Sequence, residues 1–470
     1  MHGHAIVIDV GKSLSKVSLW TPEGVLVERR SRPNSRAAGS GYLALDAVGI
    51  EDWLARTLAD LGRLAPVEAI VPVAHGAAVA LLRNGRLAAL PLDYEQPIPA
   101  AVRAAYDVQR DPFERSGSPA LPAGLNIGAQ LHYLDSLDPA LLAPGAMILP
   151  WAQYWAWRLS GVAAAEVTSL GCHSDLWFPA RGCPSDLAVR RGWADLLPPM
   201  RRAGDCLGTL TPEWVARTGL SSGVRVHCGI HDSNAALLAA RGFPELASRE
   251  STVLSTGTWF VAMRTPGVPV DQSALPADRD CLVNVDAAGQ PVPSARFMGG
   301  REIELLTGSD TPRIDIAADQ AVLLDALHTA LADGARVLPT FVPGTGPFPR
   351  ARGRWEHMPA DQAGRRASVS LYAALVADVT LDLIGSSERI VVEGRFAQTQ
   401  VFVRALAALR PGTAVYAANS LNDVSYGALR LLDPSLAPDG DLVLAGPLEL
   451  DLGAVRAEWL AEAQRMEQAA

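Results

Sequence analysis

A short β-branched strand that ends in glycine and runs into a polar loop occurs at three places in this chain. The three runs are Asp9-Val10-Gly11, Ser255-Thr256-Gly257 and Glu393-Gly394. Glycine at the end of a strand permits a sharp turn and lets another group come close to the backbone. Elsewhere, apolar residues recur at helical spacing over residues 50–64, and residues 67–73 have the pattern of a buried strand. The chain is therefore predicted to be α/β.

The length of 470 residues predicts more than one domain, because a single hydrophobic core stops growing at roughly 250–300 residues. A strand pattern at residues 224–228 is followed by a polar run and by an Ala-rich helix pattern that ends at Arg241. A second series of strands then begins. We predict an N-terminal domain over residues 1–240 and a C-terminal domain over residues 241–470.

Charge, cysteine spacing and hydropathy exclude several classes of protein. The net charge is −9 and the arginines are dispersed, so the basic surface of a nucleic-acid-binding protein is not expected. Five irregularly spaced cysteines predict neither a zinc site nor a disulfide framework. The N-terminus lacks the features of a signal peptide, and no segment has the roughly 20 continuous apolar residues of a membrane span. We expect a soluble, cytoplasmic protein with neither a nucleic-acid nor a membrane partner.

The first glycine turn carries both lysines of the chain, Lys12 and Lys16. Together with Ser13 and Ser15, they place ammonium and hydroxyl groups on a tight turn whose backbone amides can bind phosphate oxygens. In a sequence that otherwise uses arginine, this favours phosphate binding over a surface hairpin with incidental charge. The Gly-Lys-Ser triplet is not a P-loop, which would need glycine where Ile6 stands.

The second glycine turn includes Gly257 and Thr258 and is followed by Trp259. By itself it is as typical of a simple hairpin as of a phosphate site. The presence of the first turn favours the phosphate-site interpretation of the second, because a fold that binds a polyphosphate with two glycine-turn hairpins needs one from each domain.

Asp232 follows a predicted strand and begins a helix pattern. It could cap the helix, or it could be a general base that accepts a proton from a hydroxyl attacking a γ-phosphoryl group. His231 beside it could bind a substrate or be structural. His75 and Gly76 follow the strand pattern at residues 67–73 and leave a similar choice between a polyol contact and a core histidine near a turn.

Three further segments have both a structural and a binding interpretation. Residues 91–97 place two carboxylates and a tyrosine between prolines, which suits a sugar-binding loop and a solvated loop equally. The aromatic run at residues 151–157 could stack on sugars, but its helical spacing favours a core position. Gly394, followed by a helix pattern that includes Gln398, would let the backbone approach a flat ring, although the pattern alone is unspecific.

In this order, the motifs resemble those of the FGGY family of carbohydrate kinases over nearly the whole chain. Residues 9–16 resemble the first phosphate motif of the family, residues 255–259 the second and residues 391–398 the adenosine motif, while residues 150–161 with Glu166, Thr168 and Ser169 are similar to a family signature. Residues 229–234 and 255–259 are most similar to the rhamnulokinase and L-fuculokinase branch. Two departures stand out: Lys12 replaces the small hydroxyl residue of many members, and Glu393 and Arg395 interrupt the glycine cluster expected around Gly394.

The resemblance implies two actin-like (ribonuclease H-like) α/β domains with an interdomain cleft, the first binding the sugar and the second the nucleotide. It implies transfer of the γ-phosphoryl group of ATP, with Mg²⁺, to a hydroxyl of a small sugar, such as the ketoses L-fuculose or L-rhamnulose. Asp232 is then the catalytic base, and His75, Gly76 and His231 contact the sugar. The implied nucleotide contacts are Lys12, Ser13, Ser15, Lys16, Gly257, Thr258, Gly394 and Gln398, and Asp9 positions the magnesium ion.

Two other functions stay open from the sequence. One is a regulator that keeps the kinase fold and binds sugar and nucleotide without turnover. The other is an actin-like ATPase that acts on protein partners. A homodimer is compatible with either function and with a kinase.

Overall fold

The computed structural model describes residues 3–247, 249–308, 313–419, 424–438 and 440–470. The strands are β1 His4–Val10, β2 Leu14–Trp20, β3 Leu26–Pro33, β4 Arg36–Ala38, β5 Leu43–Leu45, β6 Val67–Ala74, β7 Val79–Arg83, β8 Arg86–Ala89, β9 Ala146–Pro150, β10 Ala165–Glu166, β11 Trp177–Phe178, β12 Cys183–Pro184, β13 Met200–Arg201, β14 Cys206–Thr209, β15 Arg225–His227, β16 Ile230–His231, β17 Ser251–Thr256, β18 Phe260–Thr265, β19 Cys281–Val285, β20 Pro291–Phe297, β21 Arg336–Leu338, β22 Arg354–Glu356, β23 Arg389–Gly394, β24 Ala414–Ala418 and β25 Leu442–Leu444. The α-helices are α1 Ala47–Gly62, α2 Ala100–Asp107, α3 Phe113–Ser116, α4 Ile127–Leu137, α5 Trp151–Ser160, α6 Val167–Leu170, α7 Asp186–Arg190, α8 Pro212–Thr218, α9 Asp232–Ala240, α10 Gly299–Thr307, α11 Gln320–Ala332, α12 Gln362–Leu383, α13 Gln400–Leu409, α14 Val424–Leu432 and α15 Leu452–Ala469.

The chain divides into two compact units. Unit 1 comprises Met1–Gly242, Val283–Pro291 and Asn422–Pro438, and unit 2 comprises Phe243–Leu282, Val292–Leu421 and Asp439–Ala470. The predicted division into domains 1–240 and 241–470 stays a prediction, and the units differ from it in that two late segments belong to unit 1. One of these segments carries α14, whose Gly427 lies so close to α9 that a Cβ there would collide with the Ala235 carbonyl oxygen.

The seven-stranded sheet of unit 1 has the order β14-β15-β6-β1-β2-β3, with β16 beside β6. Strands β1, β2 and β3 form an antiparallel meander, while β6 runs parallel to β1, β15 and β16. In this register Ala74 is paired with Val10 on one side and with His231 on the other. The residues that follow these strand ends, including His75 and Asp232, therefore meet at one edge of the sheet.

Helices cover both faces of this sheet. Successive side chains of β1 alternate between the faces, so Ile6 and Ile8 pack in one apolar cluster with α1 and α5. Ala5 and Val7 pack in a second cluster with α9 and α14. Because both faces are buried, β1 is apolar at successive positions, and the charged end of the strand is fixed relative to its neighbours.

The aromatic run in α5 is part of the core, which confirms the interpretation that its spacing favoured. Trp151, Tyr154 and Trp155 are buried. Their ring centres lie between 4.9 and 5.2 Å apart. These rings pack against one another, so they are not free to stack on a sugar.

A second seven-stranded sheet, most of whose strands belong to unit 2, has the order β19-β20-β18-β17-β23-β24-β25. Strand β17 is antiparallel to β18 and parallel to β23, and Thr256 is paired with Gly394. The second and third glycine-ended strands therefore lie side by side. The long helix α12 is buried over most of its length.

Some element boundaries differ from the sequence prediction. Helix α11 is preceded by the 3₁₀ turn Ala317–Asp319. Helix α13 begins at Gln400, so Gln398 lies in the turn before it. In the part of the chain that the structure describes, no helix combines the length and the apolar character that a bilayer-crossing segment requires.

Candidate active site

Asp232 is the first residue of α9, and His231 precedes it at the N-cap position without a capping side-chain bond. The Asp232 Oδ1 atom accepts hydrogen bonds from His231 Nε2 at 3.1 Å, the Ser233 backbone nitrogen at 2.6 Å and Ser233 Oγ at 3.2 Å. No hydrogen bond within the described residues reaches Oδ2. Three donors thus fix one carboxylate oxygen and leave the other for a ligand, an arrangement that the helix-cap alternative does not explain.

The electrostatic environment keeps Asp232 ionised. Burial raises the pKa of its carboxyl, but the hydrogen bonds that the carboxyl accepts, first of all the one from His231, outweigh burial, so the net pKa is lowered. The side chain remains 30% exposed. A negatively charged and reachable oxygen can accept a proton or a hydrogen bond from a hydroxyl.

His231 is held from several sides. Its backbone nitrogen donates to Thr168 Oγ1 at 3.1 Å, and its Nδ1 lies 3.2 Å from Asn234 Nδ2. A Cβ on Gly76 would lie 2.8 Å from His231 Nε2 and would collide with Cys172 Sγ. Gly76 is therefore needed for the packing around His231, and nothing in the structure assigns it a direct ligand contact.

His75 is buried, yet neither of its ring nitrogens has a hydrogen-bond partner among the described residues. Burial lowers the pKa of His75 to about 4, so the ring is neutral near pH 7. Its ring centre lies 5.6 Å from that of Tyr94. A neutral imidazole with a free donor and a free acceptor can bind a polyol, and a buried polar group without partners is otherwise costly.

Lys12 contacts the loop at residues 91–97. Its Nζ forms an ion pair with Asp93 Oδ1 and lies 4.9 Å from the centre of the Tyr94 ring. The Asp93 side chain is fully buried and also accepts a hydrogen bond from Arg36 Nε at 3.1 Å. Lys12 thus joins the first glycine turn to the loop that the sequence offered as a sugar loop, and its phosphate contact stays a prediction.

Asn34 organises the first glycine turn and was missed by the sequence analysis. Its Nδ2 donates to the Gly11 carbonyl at 2.8 Å, its Oδ1 accepts from Ser15 Oγ at 2.8 Å, and its backbone nitrogen donates to the Ser13 carbonyl at 2.9 Å. These bonds come from the residue that follows β3 and could not be inferred from local pattern. Ser15 is therefore engaged within the turn.

Asp9 and Lys16 face each other across the β1–β2 hairpin, with Lys16 Nζ 3.2 Å from Asp9 Oδ2. Within the described ranges, no group of three or more His, Cys, Asp or Glu side chains is placed to hold a metal ion. Protein-bound Mg²⁺ commonly uses one or two carboxylates and completes its shell with phosphate oxygens and water. The single Asp9 carboxylate beside the first turn fits that mode of binding.

Glu166 lies behind this edge and is fully buried. Its Oε2 accepts from Thr168 Oγ1 at 2.5 Å and from the Ser169 backbone nitrogen at 3.1 Å, whereas Oε1 has no hydrogen-bond partner in the described chain. Burial raises the pKa of Glu166 to about 7. Because Thr168 also accepts from His231, Glu166 supports the His231 backbone through one intervening side chain.

In unit 2, the second glycine turn and Gly394 form one structure. Thr256 Oγ1 donates to the Glu393 carbonyl at 2.6 Å and accepts from the Phe396 nitrogen at 3.0 Å. Gly394 has a φ of +86°, and a Cβ there would collide with the Thr256 carbonyl oxygen. Glycine is required at this position for both reasons.

Helix α10 begins against the second turn, a contact that the sequence analysis did not identify. A Cβ on Gly300 would collide with the Gly257 carbonyl oxygen. The Gly-Gly pair at the start of this helix is the sequence feature that could have indicated such a close contact. Thr258, at the tip of the turn, is exposed and available to a ligand. Gln398 is also exposed, and its Nε2 donates to Asn419 Oδ1 at 2.6 Å.

The two residues that depart from the glycine cluster have local partners. Burial raises the pKa of Glu393 to about 7, and its Oε1 accepts from Ser255 Oγ. Arg395 Nε donates to Asp315 Oδ2 at 3.0 Å. Both side chains are thus integrated into unit 2.

Comparison with known proteins identifies the family. A model of the C-terminal domain of FGGY carbohydrate kinases matches residues 248–439. The solved structure of a carbohydrate kinase from Novosphingobium aromaticivorans is 59% identical, with a TM-score of 0.94 over 97% of this chain and 100% of that chain. A search of curated proteins finds no match.

More distant solved structures share the fold. A xylulose kinase from Rhodospirillum rubrum is 18% identical, with a TM-score of 0.77, and the alignment covers 99% of this chain and 98% of that chain. Plasmodium falciparum glycerol kinase with ADP is 12% identical, with a TM-score of 0.79 and the same coverage. The predicted two-domain, actin-like α/β fold is confirmed, and with the 59% identical relative these findings show that the chain belongs to the FGGY family of carbohydrate kinases.

Proposed function

We propose that this chain transfers the γ-phosphoryl group of ATP to a hydroxyl of a small sugar, with Asp232 as the catalytic base. The observation that carries the proposal is the asymmetry of the Asp232 carboxylate, whose Oδ1 has three donors while Oδ2 has none among the described residues. A fixed carboxylate oriented in this way can receive the proton of an attacking hydroxyl. Its lowered pKa suits a reaction in which positioning matters more than basicity, as in phosphoryl transfer.

The sugar side is proposed to use His75 and His231. The two unpartnered nitrogens of His75 can donate to one sugar hydroxyl and accept from another. Gly76 keeps His231 close to Asp232, so we assign it a packing role in the sugar site. Following the resemblance at residues 229–234 and 255–259, the substrate class proposed is a ketose such as L-fuculose or L-rhamnulose.

The nucleotide side draws on both units. In unit 1, the backbone of the turn with Lys12, Ser13, Ser15 and Lys16 is proposed to neutralise phosphate oxygens. In unit 2, Gly257 and Thr258 serve the phosphates, and Gly394 and Gln398 border the adenosine. Asp9 would hold the magnesium ion, directly or through water. The ion would neutralise charge on the phosphates during transfer.

The test is a steady-state kinase assay with ATP and a panel of ketoses, comparing wild type with Asp232→Asn. The variant keeps the shape of the side chain and removes its charge, so kcat should fall by at least ~10²-fold. Asp60→Asn, on the exposed face of α1, is the matched control and should retain wild-type kcat. Comparable kcat in the Asp232 variant and wild type would show that the base is assigned wrongly.

A second candidate is a regulator that binds sugar and nucleotide without turnover. The observation in its favour is Arg395, which lies in the adenosine motif and is paired with Asp315. Calorimetry separates the two functions, because a regulator would bind ATP and sugar without sugar-dependent release of ADP.

A further inference from the structure

Asn234 lies in the first turn of α9 and is only 2% exposed. Its amide nitrogen is 3.2 Å from His231 Nδ1, and the opposite ring nitrogen, Nε2, is 3.1 Å from Asp232 Oδ1. Two hydrogen bonds therefore connect Asn234 to Asp232 through the imidazole. Asn234 ends the motif at residues 229–234, and the proposed mechanism gives it no role.

For a neutral imidazole, hydrogen-bond chemistry determines the direction of both bonds. Asp232 is ionised and can only accept, so the proton on the facing ring nitrogen must belong to His231 Nε2. In a neutral imidazole, Nδ1 then carries a lone pair, and it is the amide NH₂ of Asn234 that must face it. The Asn234 Oδ1 atom is consequently left buried with no partner among the described residues, beside a cavity of about 390 Å³ that Asn234 lines.

Resting on the proposed function, we propose that Asn234 is a positioning residue that keeps His231 neutral with its single ring proton on Nε2. The amide N–H occupies the Nδ1 lone pair, which is the site where a second proton would bind. A doubly protonated His231 would form an ion pair with Asp232 and reduce the ability of the carboxylate to accept a hydroxyl proton. The other titratable groups around this pair are His75, Glu166 and Cys172.

The deciding variant is Asn234→Asp, which preserves side-chain shape and replaces the N–H donor with an acceptor. In wild type at pH 7, ¹⁵N NMR of the imidazole should show the neutral tautomer with the proton on Nε2. In the variant, an acceptor at both ring nitrogens should give a doubly protonated ring, and kcat should fall about tenfold with sugar KM within about twofold. Spectra of His231→Gln assign the resonance among the nine histidines.

Asn234→Leu is the shape control, since it removes the donor without adding an acceptor. Its His231 ring should stay neutral, which distinguishes loss of packing from a change of protonation. A wild-type ring that is doubly protonated or carries its proton on Nδ1 would overturn the proposal, and so would a neutral ring in a folded Asn234→Asp protein. The ring spectrum needs no turnover, so failure of the proposed kinase function would be seen separately in the Asp232→Asn assay.

Discussion

Replacing Glu166 by glutamine is expected to remove a pH dependence from the stability of unit 1. The Glu166 side chain is fully buried, and burial raises its pKa from 4.5 to about 7. The folded state therefore holds this proton more tightly than the unfolded chain does. The stabilisation is complete below pH 4.5 and is lost as the pH rises through about 7.

The size of the effect follows from the pKa difference. A difference of roughly 2.5 units at 1.36 kcal/mol each corresponds to about 3 kcal/mol, to order of magnitude. Glutamine has no proton to lose. The free energy of unfolding of Glu166→Gln should therefore rise by about 3 kcal/mol relative to wild type between pH 4.5 and pH 8.

The assay is hydrogen exchange of the β6 amides in wild type and variant at pH 5, 6, 7 and 8, because it reports the opening of unit 1 even if the two units unfold separately. Glu51→Gln is the control. Burial opposes ionisation of Glu51, but hydrogen bonds from Arg158 and Arg217 outweigh it and lower its pKa, so its stabilisation is lost only in acid. The loss of unfolding free energy in Glu51→Gln, relative to wild type, should be constant from pH 5 to pH 8. If the difference between Glu166→Gln and wild type is equally constant, Glu166 does not take up a proton in the fold and the reasoning is refuted.

Two further substitutions test the nucleotide and sugar sides. Gly394→Ala should lower stability by about 1–3 kcal/mol more than Gly412→Ala, because both positions have positive φ but nothing lies within 4 Å of a Cβ on Gly412; equal shifts in thermal unfolding would contradict the clash at the Thr256 carbonyl. Lys12→Met should raise the KM of both ATP and sugar, since the ammonium is predicted to reach the phosphates and contacts buried Asp93; an unchanged sugar KM would show that this contact has no part in sugar binding.

Features that depend on neighbouring residues in sequence could be predicted. The hairpin around Gly11 follows from two β-branched runs with a short polar turn, and its register places Asp9 opposite Lys16. The meeting of His75 and Asp232 also follows from parallel strands whose carboxyl ends share an edge. The order of the motifs along the chain was then enough to predict the family, because each motif is a local pattern.

Contacts between distant parts of the chain could not be predicted in the same way. Asn34, just after the end of β3, binds the first turn, and Lys12 pairs with Asp93 from a loop about eighty residues away. A single sequence gives no information on the distance in space between residues that are far apart along the chain. Glu166 shows a related difficulty, because a glutamate in sequence predicts exposure, and only the packing around it shows that the carboxyl is buried.

The late arrival of α14 has a consequence for biosynthesis. During translation, the strands of the unit 1 sheet are made well before the segment Asn422–Pro438 that completes its apolar cluster with Tyr426 and Leu429. Until that segment leaves the ribosome, the apolar surface of α9 around Ala235 is exposed to solvent. The nascent chain must therefore keep an unfinished first unit in solution while most of unit 2 is synthesised, and a fragment ending at Gly242 would keep that apolar surface exposed permanently.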